Sequence, residues 1–254
     1  MKNNMNDSSA LLEEAWDLFE EAMEETQKSK RKKLLKQVLK INPNFTDAKL
    51  ELIQMEDDDK RMQKLLKLQK EEEKRLEKEG YMKYIGEFYQ IMDTRPYMRI
   101  RYQIFEEYFN RRQLRLALQE GEEILSYNTS DNFGVRHTMM GIYCCLEEFE
   151  KGEELMNRYP EQSVPMLLYQ SVLFYRKDER IKFRSLLREI ADLVPEVSLI
   201  SDLEINGQLD LEYLPVHSLE EVMYYMARFP ELFLSEDMME ELLDIWVNDK
   251  KYDA

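Results

Sequence analysis

Apolar residues recur at helical spacing in the middle of the chain. One stripe has apolar residues at i, i+4, i+7 and i+11: Val135, Met139, Ile142 and Leu146. A second stripe follows a pair of glutamates: Phe149, Gly152, Leu155, Met156 and Tyr159. This spacing puts each stripe on one face of an α-helix. The pattern predicts two helices joined by a short turn, with Ser130 or Asp131 as the N-cap of the first helix.

The same arrangement recurs along the chain. Helix-ending corners lie at Asn128, Pro160 and Pro195, which are 32 and 35 residues apart, and an earlier corner contains Pro43. A period of about 34 residues is typical of tetratricopeptide helix pairs. The clearest repeats cover 96–128, 129–160 and 163–195. The sequence therefore predicts an all-α fold, a right-handed α-solenoid of antiparallel helix pairs over residues 1–195.

The region before the clearest repeats is less regular. It predicts helices over 11–26 and 30–41, a third that Thr46 caps, and a long charged helix that Gly80 ends. The aromatic stretch 81–93 is predicted to add one more helix. The boundaries in this region are left open.

The pattern changes after Pro195. The pair Asn206-Gly207 indicates a turn, and no helical stripe surrounds it. Ser218 with Glu221 forms a capping box, and Ser235 begins a further helix. Residues 196–254 are therefore predicted to form a capping segment with two helices, because the last repeat of a solenoid leaves an apolar face to be covered.

Composition narrows the classes of partner. Of the 254 residues, 43% are hydrophobic and 35% are charged, and the net charge is −16. Such an acidic chain repels phosphate backbones and anionic lipids, so neither a nucleic acid nor a membrane is the expected partner. The N-terminus lacks the pattern of a signal peptide, and Cys144 and Cys145 are adjacent. Both features favour a cytoplasmic location.

Two motifs resemble a known group. The stretches "TRPYMR", which begins at Thr94, and "DNFGVR", which begins at Asp131, resemble a family of bacterial tetratricopeptide-repeat proteins. The resemblance covers roughly residues 10–250. It implies a helical repeat fold and a cytoplasmic location, and it implies no activity.

The reactive residue types do not form a recognisable catalytic or metal site. His137 lacks a second histidine at i+4, and the other histidine, His217, is 80 residues away. Neighbouring cysteines on a helix point about 100° apart, so they do not readily share a metal. The sequence predicts no enzyme, no metal and no cofactor. An enzyme of unrecognised type that uses His137 is a remote alternative.

Rows of polar residues at equivalent repeat positions are the strongest functional signal. Arg101 and Arg136 are 35 residues apart on consecutive first helices, and such helices line the concave groove of a tetratricopeptide array. The predicted partner-binding residues are Arg99, Arg101, Tyr102, Arg136, His137, Tyr169 and Gln170. Arginine forks suit carboxylates, including a peptide C-terminus. The alternative is that these arginines pair with the chain's own carboxylates.

The predicted function is a non-catalytic scaffold that binds a protein or peptide segment in this groove. The expected partner carries acidic side chains or a C-terminal carboxylate. A self-associating structural protein, such as a homodimer or a stacked solenoid, is the second alternative.

Overall fold

The computed structural model describes residues 3–202 and 214–248, and it confirms an all-α chain. Contacts divide the chain into two units, Met1–Phe133 and Gly134–Ala254, each considered by itself below. The first unit contains six α-helices: α1 Asn3–Glu24, α2 Lys28–Ile41, α3 Thr46–Gln54, α4 Asp58–Glu79, α5 Arg95–Asn110 and α6 Leu114–Tyr127. The described part of the second contains six more: α7 Val135–Leu146, α8 Phe149–Arg158, α9 Val164–Arg176, α10 Arg180–Leu193, α11 Leu219–Arg228 and α12 Glu236–Leu243. The predicted boundary after residue 195 falls inside the second unit.

Successive helices of the first unit pack against one another. Each of α1 to α5 contacts the next helix, and α3 also contacts α5. One buried cluster joins α1, α2 and the start of α3: Ala15, Ala22, Leu35, Val38, Phe45 and Ala48. Another joins α3, α4 and α5: Leu50, Met62, Leu65, Leu68, Ile100 and Ile104. The apolar stripes of these helices are thus satisfied by their neighbours in the chain.

The connection between α4 and α5 differs from the prediction. The helix predicted over 81–93 is wrong, because three short 3₁₀ turns occupy this stretch. Gly80 ends α4, as predicted, and it does so in the left-handed conformation with φ of 78°. Gly86 has φ of 101° and exchanges backbone hydrogen bonds with the corner after α6, where its N–H donates to the Tyr127 carbonyl. Within a helix, the N–H and carbonyl of this residue would bond to the helix itself and could not reach this corner.

The second unit is arranged around α9, which is buried along most of its length. It contacts α7, α8, α10 and α11. The first predicted stripe faces inward, since Val135, Met139 and Ile142 are buried and Leu146 is half-buried. A methyl group on Gly152 of α8 would lie 2.9 Å from a Leu173 methyl carbon of α9, so glycine permits the close approach of these helices.

The start signals of the helices are partly as predicted. Ser218 and Ser235 accept hydrogen bonds from the backbone N–H groups of Glu221 and Met238, which confirms both N-caps. The N-caps predicted for α3 and α7 are wrong. Phe45 holds that position before α3, Gly134 holds it before α7 in the left-handed conformation, and no side chain caps either helix. The predicted Asn206-Gly207 turn lies outside the described residues.

Among the described helices, none is both long enough and apolar enough to cross a membrane.

Candidate functional site

Arg99 lies at the edge of a groove in the first unit. Its guanidinium makes a two-pronged ion pair with Asp47, in which Nε donates to Oδ1 at 2.8 Å and Nη2 donates to Oδ2 at 2.6 Å. The Arg99 side chain is 41% exposed, although its carboxylate partner is nearly buried. This geometry uses one edge of the fork and leaves the Nη1 edge for another acceptor.

An aromatic wall forms another side of the groove. Trp16 packs edge-on against Phe45 with ring centres 4.6 Å apart, and Phe19 lies 5.0 Å from Phe45. Trp16 is 49% exposed. A half-exposed indole beside two phenyl rings offers an apolar contact surface together with an N–H donor.

Two further arginines line the groove. Arg75 is occupied within the unit, because Glu72, Glu79 and the Asp93 carbonyl accept its hydrogen bonds. Arg95 lies one turn before Arg99 on α5; its Nε donates to the Tyr89 carbonyl at 2.8 Å. No carboxylate of the described residues is within ion-pair distance of Arg95.

The groove has a volume of about 810 Å³. Its lining combines the aromatic wall, the exposed Met92, Pro96, the three arginines and four acidic residues: Asp47, Glu51, Glu79 and Asp93. A volume of this size accommodates a few residues of a peptide or a small organic molecule.

Arg101 lies inside the first unit and does not line this groove. Only 7% of its side chain is exposed, and it is paired with Glu120 at 3.1 Å and Glu123 at 3.4 Å. The rings of Tyr97 and Tyr127 lie 5.4 and 4.9 Å from the guanidinium carbon. Burial raises the pKa of Glu120 to about 7. The charge of Arg101 opposes this increase, whereas the charges of Glu123 and Glu73 add to it.

Tyr102 faces a different neighbour from that of Arg101. Its ring stacks on Phe133 with centres 5.0 Å apart and an angle of 14°. Phe133 in turn meets Tyr89 edge-on at 5.3 Å. Tyr102 is therefore half-buried in an aromatic stack of the first unit.

Arg136 and His137 share one carboxylate in the second unit. Glu161, in the loop between α8 and α9, accepts hydrogen bonds at 2.8 and 2.7 Å from Nε and Nη2 of Arg136, and lies 2.8 Å from Nε2 of His137. The Ser163 hydroxyl also donates to it, at 2.9 Å. Burial opposes ionisation, but the hydrogen bonds from His137, Arg136 and Ser163 outweigh it and lower the pKa of Glu161 to about 2.

This cluster resembles a serine–histidine–acid triad only in composition. A triad needs the serine on one ring nitrogen and the acid on the other. Here Ser163 Oγ and Glu161 Oε1 both face Nε2 of His137, at 3.3 and 2.8 Å. The serine hydroxyl therefore donates to Glu161 instead of to an imidazole that the acid orients, and the cluster has the geometry of an ion-pair network.

Tyr169 and Gln170 are buried in α9. The Tyr169 hydroxyl donates to the Tyr225 carbonyl at 2.7 Å, and its ring meets Phe229 edge-on at 5.3 Å. Burial raises the pKa of the Tyr169 phenol. The chain's own helix α11 thus covers the side of α9 that holds Tyr169.

The cysteines do not form a reactive pair. Neither cysteine forms a disulfide, and Cys144 is buried with its Sγ 3.3 Å from the Tyr169 carbonyl. Burial raises the pKa of the Cys144 thiol, which disfavours the nucleophilic thiolate. Within residues 3–202 and 214–248, no three His, Cys, Asp or Glu side chains are grouped to hold a metal ion.

The structure adds groove residues that sequence reasoning missed. Trp16 and Met92 are exposed apolar side chains, and Phe45 belongs to a corner that carries no stripe. Arg95 could have been found, because it precedes Arg99 by four residues within "TRPYMR" and so lies on the same helical face. The contribution of α1 depends on tertiary packing and had no local signal.

The fold and groove define an all-α protein of successively packed helices with an open, arginine-edged groove in its first unit. No protein-family model matches the chain. A search of curated proteins likewise returns no match.

Proposed function

We propose that this chain is a non-catalytic interaction protein that binds a peptide or protein segment in the groove of its first unit. The observation that carries the proposal is the combination of an open 810 Å³ groove, a half-exposed tryptophan and two arginines on one helical face. Aromatic and arginine side chains are the residue types that contribute most to binding energy at protein interfaces.

The proposal includes a tetratricopeptide-like arrangement of helix pairs. Its support is that sequential helices pack together and that alternate helices also meet, as α3 meets α5 and α7 meets α9. In tetratricopeptide arrays the first helices of successive pairs are neighbours in this way. The adjacent cysteines, neither of which forms a disulfide, support a cytoplasmic location as part of the same proposal.

The ligand that fits best joins a carboxylate to an apolar side chain. The carboxylate would accept hydrogen bonds from Arg95 and from the free edge of Arg99, as a peptide C-terminus or an acidic side chain does. The neighbouring apolar side chain would cover Trp16 and the exposed Met92. Acidic residues elsewhere in the lining disfavour ligands with several negative charges.

Peptide display against the full chain tests the proposal. Selected peptides should bind the Trp16→Ala variant at least about tenfold more weakly, since removing a hot-spot aromatic typically costs about 2 kcal/mol or more. Leu12→Ala is the matched control: Leu12 is on the same helix and 48% exposed, but it does not line the groove. Binding should also shift the emission of Trp16, whereas Trp246 is fully buried in the other unit.

A charge reversal tests the role of the arginines. Arg95→Glu should abolish binding of peptides that carry a carboxylate, whereas Lys67→Glu, an equal charge change on the exposed side of α4, should leave the affinity unchanged. Equal losses from both variants would show that net charge, not the groove, governs binding. Selected peptides that bind all four variants as they bind the wild type would refute the proposal.

A further inference from the structure

The resident segment, Leu219–Phe233, lies across α7 and α9 in the second unit. The Tyr225 ring meets His137 at 5.9 Å and Tyr169 at 6.1 Å. Nη2 of Arg228 donates to Thr138 Oγ1 at 3.2 Å. This segment follows the repeats in the chain and occupies a face that the repeats themselves form.

The covered face differs in composition from the core of the same unit. The buried residues of α10, which packs against α9, are apolar: Phe183, Leu187, Ile190 and Ala191. The face under the resident segment adds an imidazole, a hydroxyl and a phenol, from His137, Thr138 and Tyr169, to an apolar notch that holds Phe229. Water can satisfy all three groups when the segment leaves. The resident segment faces these groups with a tyrosine, an arginine and a phenylalanine, which are residue types enriched at protein–protein interfaces.

The resident segment also encodes its own helix. Ser218 caps α11, Glu221 accepts a hydrogen bond from the His217 N–H, and acidic residues occupy the first turn. Arg228 lies in the last turn, where a cation favours the helix dipole, and Pro230 follows. Among α2 to α12, only α11 and α12 are capped by a side chain. A helix with local start and stop signals loses less order when it detaches.

A glycine shapes the deepest contact. The Phe229 ring lies over Gly141, in the middle of α7, so closely that a Cβ there would be 2.3 Å from Phe229 Cε2. Glycine inside a helix costs about 1 kcal/mol relative to alanine. At this position the missing side chain opens the notch that holds the aromatic ring.

We propose that the face of α7 and α9 is a second docking site, for a helix of a partner protein that carries Tyr and Arg at i and i+3 and a Phe at i+4, where the phenylalanine follows the last helical residue. The resident segment presents this pattern as Tyr225, Arg228 and Phe229, and it holds the site until a partner helix displaces it. The site belongs to the second unit, so it stands independently of the groove in the first.

Binding of a synthetic peptide to a full-chain variant with a weakened resident segment tests the site. Phe229→Ala empties the notch and weakens the resident segment. A synthetic peptide of residues 216–233 should then bind the variant at least about tenfold more tightly than it binds the wild type, because the competing resident is weakened. The same peptide with Phe229→Ala should not bind. Phe183→Ala, which removes a buried phenylalanine from α10, is the matched control and should gain no affinity.

A second peptide tests the recognition pattern. It carries only the tyrosine, arginine and phenylalanine on an alanine-rich host helix that ends at the arginine, as α11 ends at Arg228. Binding of both peptides to the Phe229→Ala chain establishes the pattern; binding of the native peptide alone refutes the three-residue pattern; binding of neither to a folded variant refutes the site. Recovery of a domain-swapped dimer instead would identify a second copy as occupant and overturn the assignment to a partner.

Hydrogen exchange on the wild-type chain keeps the test independent of any variant. Amides of α11 should exchange through a local opening, with protection at least about tenfold below that of α9 and α10. If α11 exchanges only together with α9 and α10, the segment is part of the core and the proposal fails.

Discussion

Arg101 and Arg136 occupy matching places in consecutive predicted repeats, yet their surroundings differ. In the first unit, Arg101 is enclosed by Glu120 and Glu123 of α6 and by two tyrosine rings. In the second, Arg136 pairs with Glu161 in a loop, where the carboxylate is 33% exposed and shared with His137. The repeat position therefore determines which helix carries the arginine. The residues that follow determine its partner, which comes from a helix for Arg101 and from a loop for Arg136.

The faces available to a partner differ in the same way. The groove of the first unit is open, with Trp16 and Met92 exposed. In the second unit, α11 and Phe229 cover Tyr169. The cover comes from residues after the repeats, so the difference between the units reflects what the chain adds to them.

Removal of each arginine should give the largest contrast. Arg101→Ala leaves the nearly buried Glu120 carboxylate without its cation, which typically costs about 3–5 kcal/mol, whereas Glu123 is 53% exposed and is solvated by water. Arg136→Ala should cost only about 1–2 kcal/mol, because hydrogen bonds to the partly exposed Glu161 remain from His137 and Ser163. Urea denaturation near about pH 8, where the carboxylates are ionised, measures both. Equal losses of stability in the two variants would contradict the distinction between the buried pair of Arg101 and the loop pair of Arg136.

A methyl group on Gly141 tests how firmly the second unit's face is covered. Gly141→Ala gains helix propensity but forces the Phe229 ring to move, so we expect a net loss of about 1–3 kcal/mol. In the double variant with Phe229→Ala, the methyl group should no longer cost stability. A double-mutant cycle by denaturation isolates this coupling. Additive effects would mean that the ring does not occupy the notch.

The carboxylate partners of the two arginines should respond to pH with opposite signs. Burial raises the pKa of Glu120 to about 7, so ionising it opposes folding: stability should fall as the pH rises from about 4.5 to about 7. Hydrogen bonds lower the pKa of Glu161 to about 2 despite its partial burial, so its contribution is present above about 4.5 and lost as the pH falls towards 2.

Glutamine variants separate these two contributions to the free energy of unfolding. Glu120→Gln should remove a decline of at most about 1.4 kcal/mol per pH unit on the neutral side, and Glu161→Gln should remove part of the acid-side loss. Denaturation midpoints measured across this pH range provide the check. A neutral-side slope that survives Glu120→Gln would assign it to another group.

Periodicity predicted the fold better than it predicted the surfaces. Val135, Met139 and Ile142 are buried as their spacing indicates, because a helix with one apolar stripe must pack that stripe. Stretch 81–93 was predicted wrongly, since backbone pairing of Gly86 with the corner after α6 is a long-range contact with no local pattern.

The candidate site was predictable only in part. Arg99 lines the groove, but the sequence does not show that Asp47, 52 residues away, takes one edge of its fork. Trp16 lines the groove because α1 packs against α2 and Phe45. The cover over Tyr169 comes from a helix 56 residues distant, which no repeat spacing encodes.

The smallest expected effect concerns the N-caps of the two C-terminal helices. Ser218→Ala and Ser235→Ala each remove one hydrogen bond to a helix-start N–H, a change that typically costs about 1 kcal/mol. Because α11 covers α9 as a locally encoded helix, Ser218→Ala should lower the protection of α11 amides about fivefold and leave α9 and α10 unchanged. Ser235→Ala should leave α11 unchanged. If Ser218→Ala lowers the protection of α9 and α10 equally, α11 opens only with its unit, and the cover over Tyr169 is as permanent as the core beneath it.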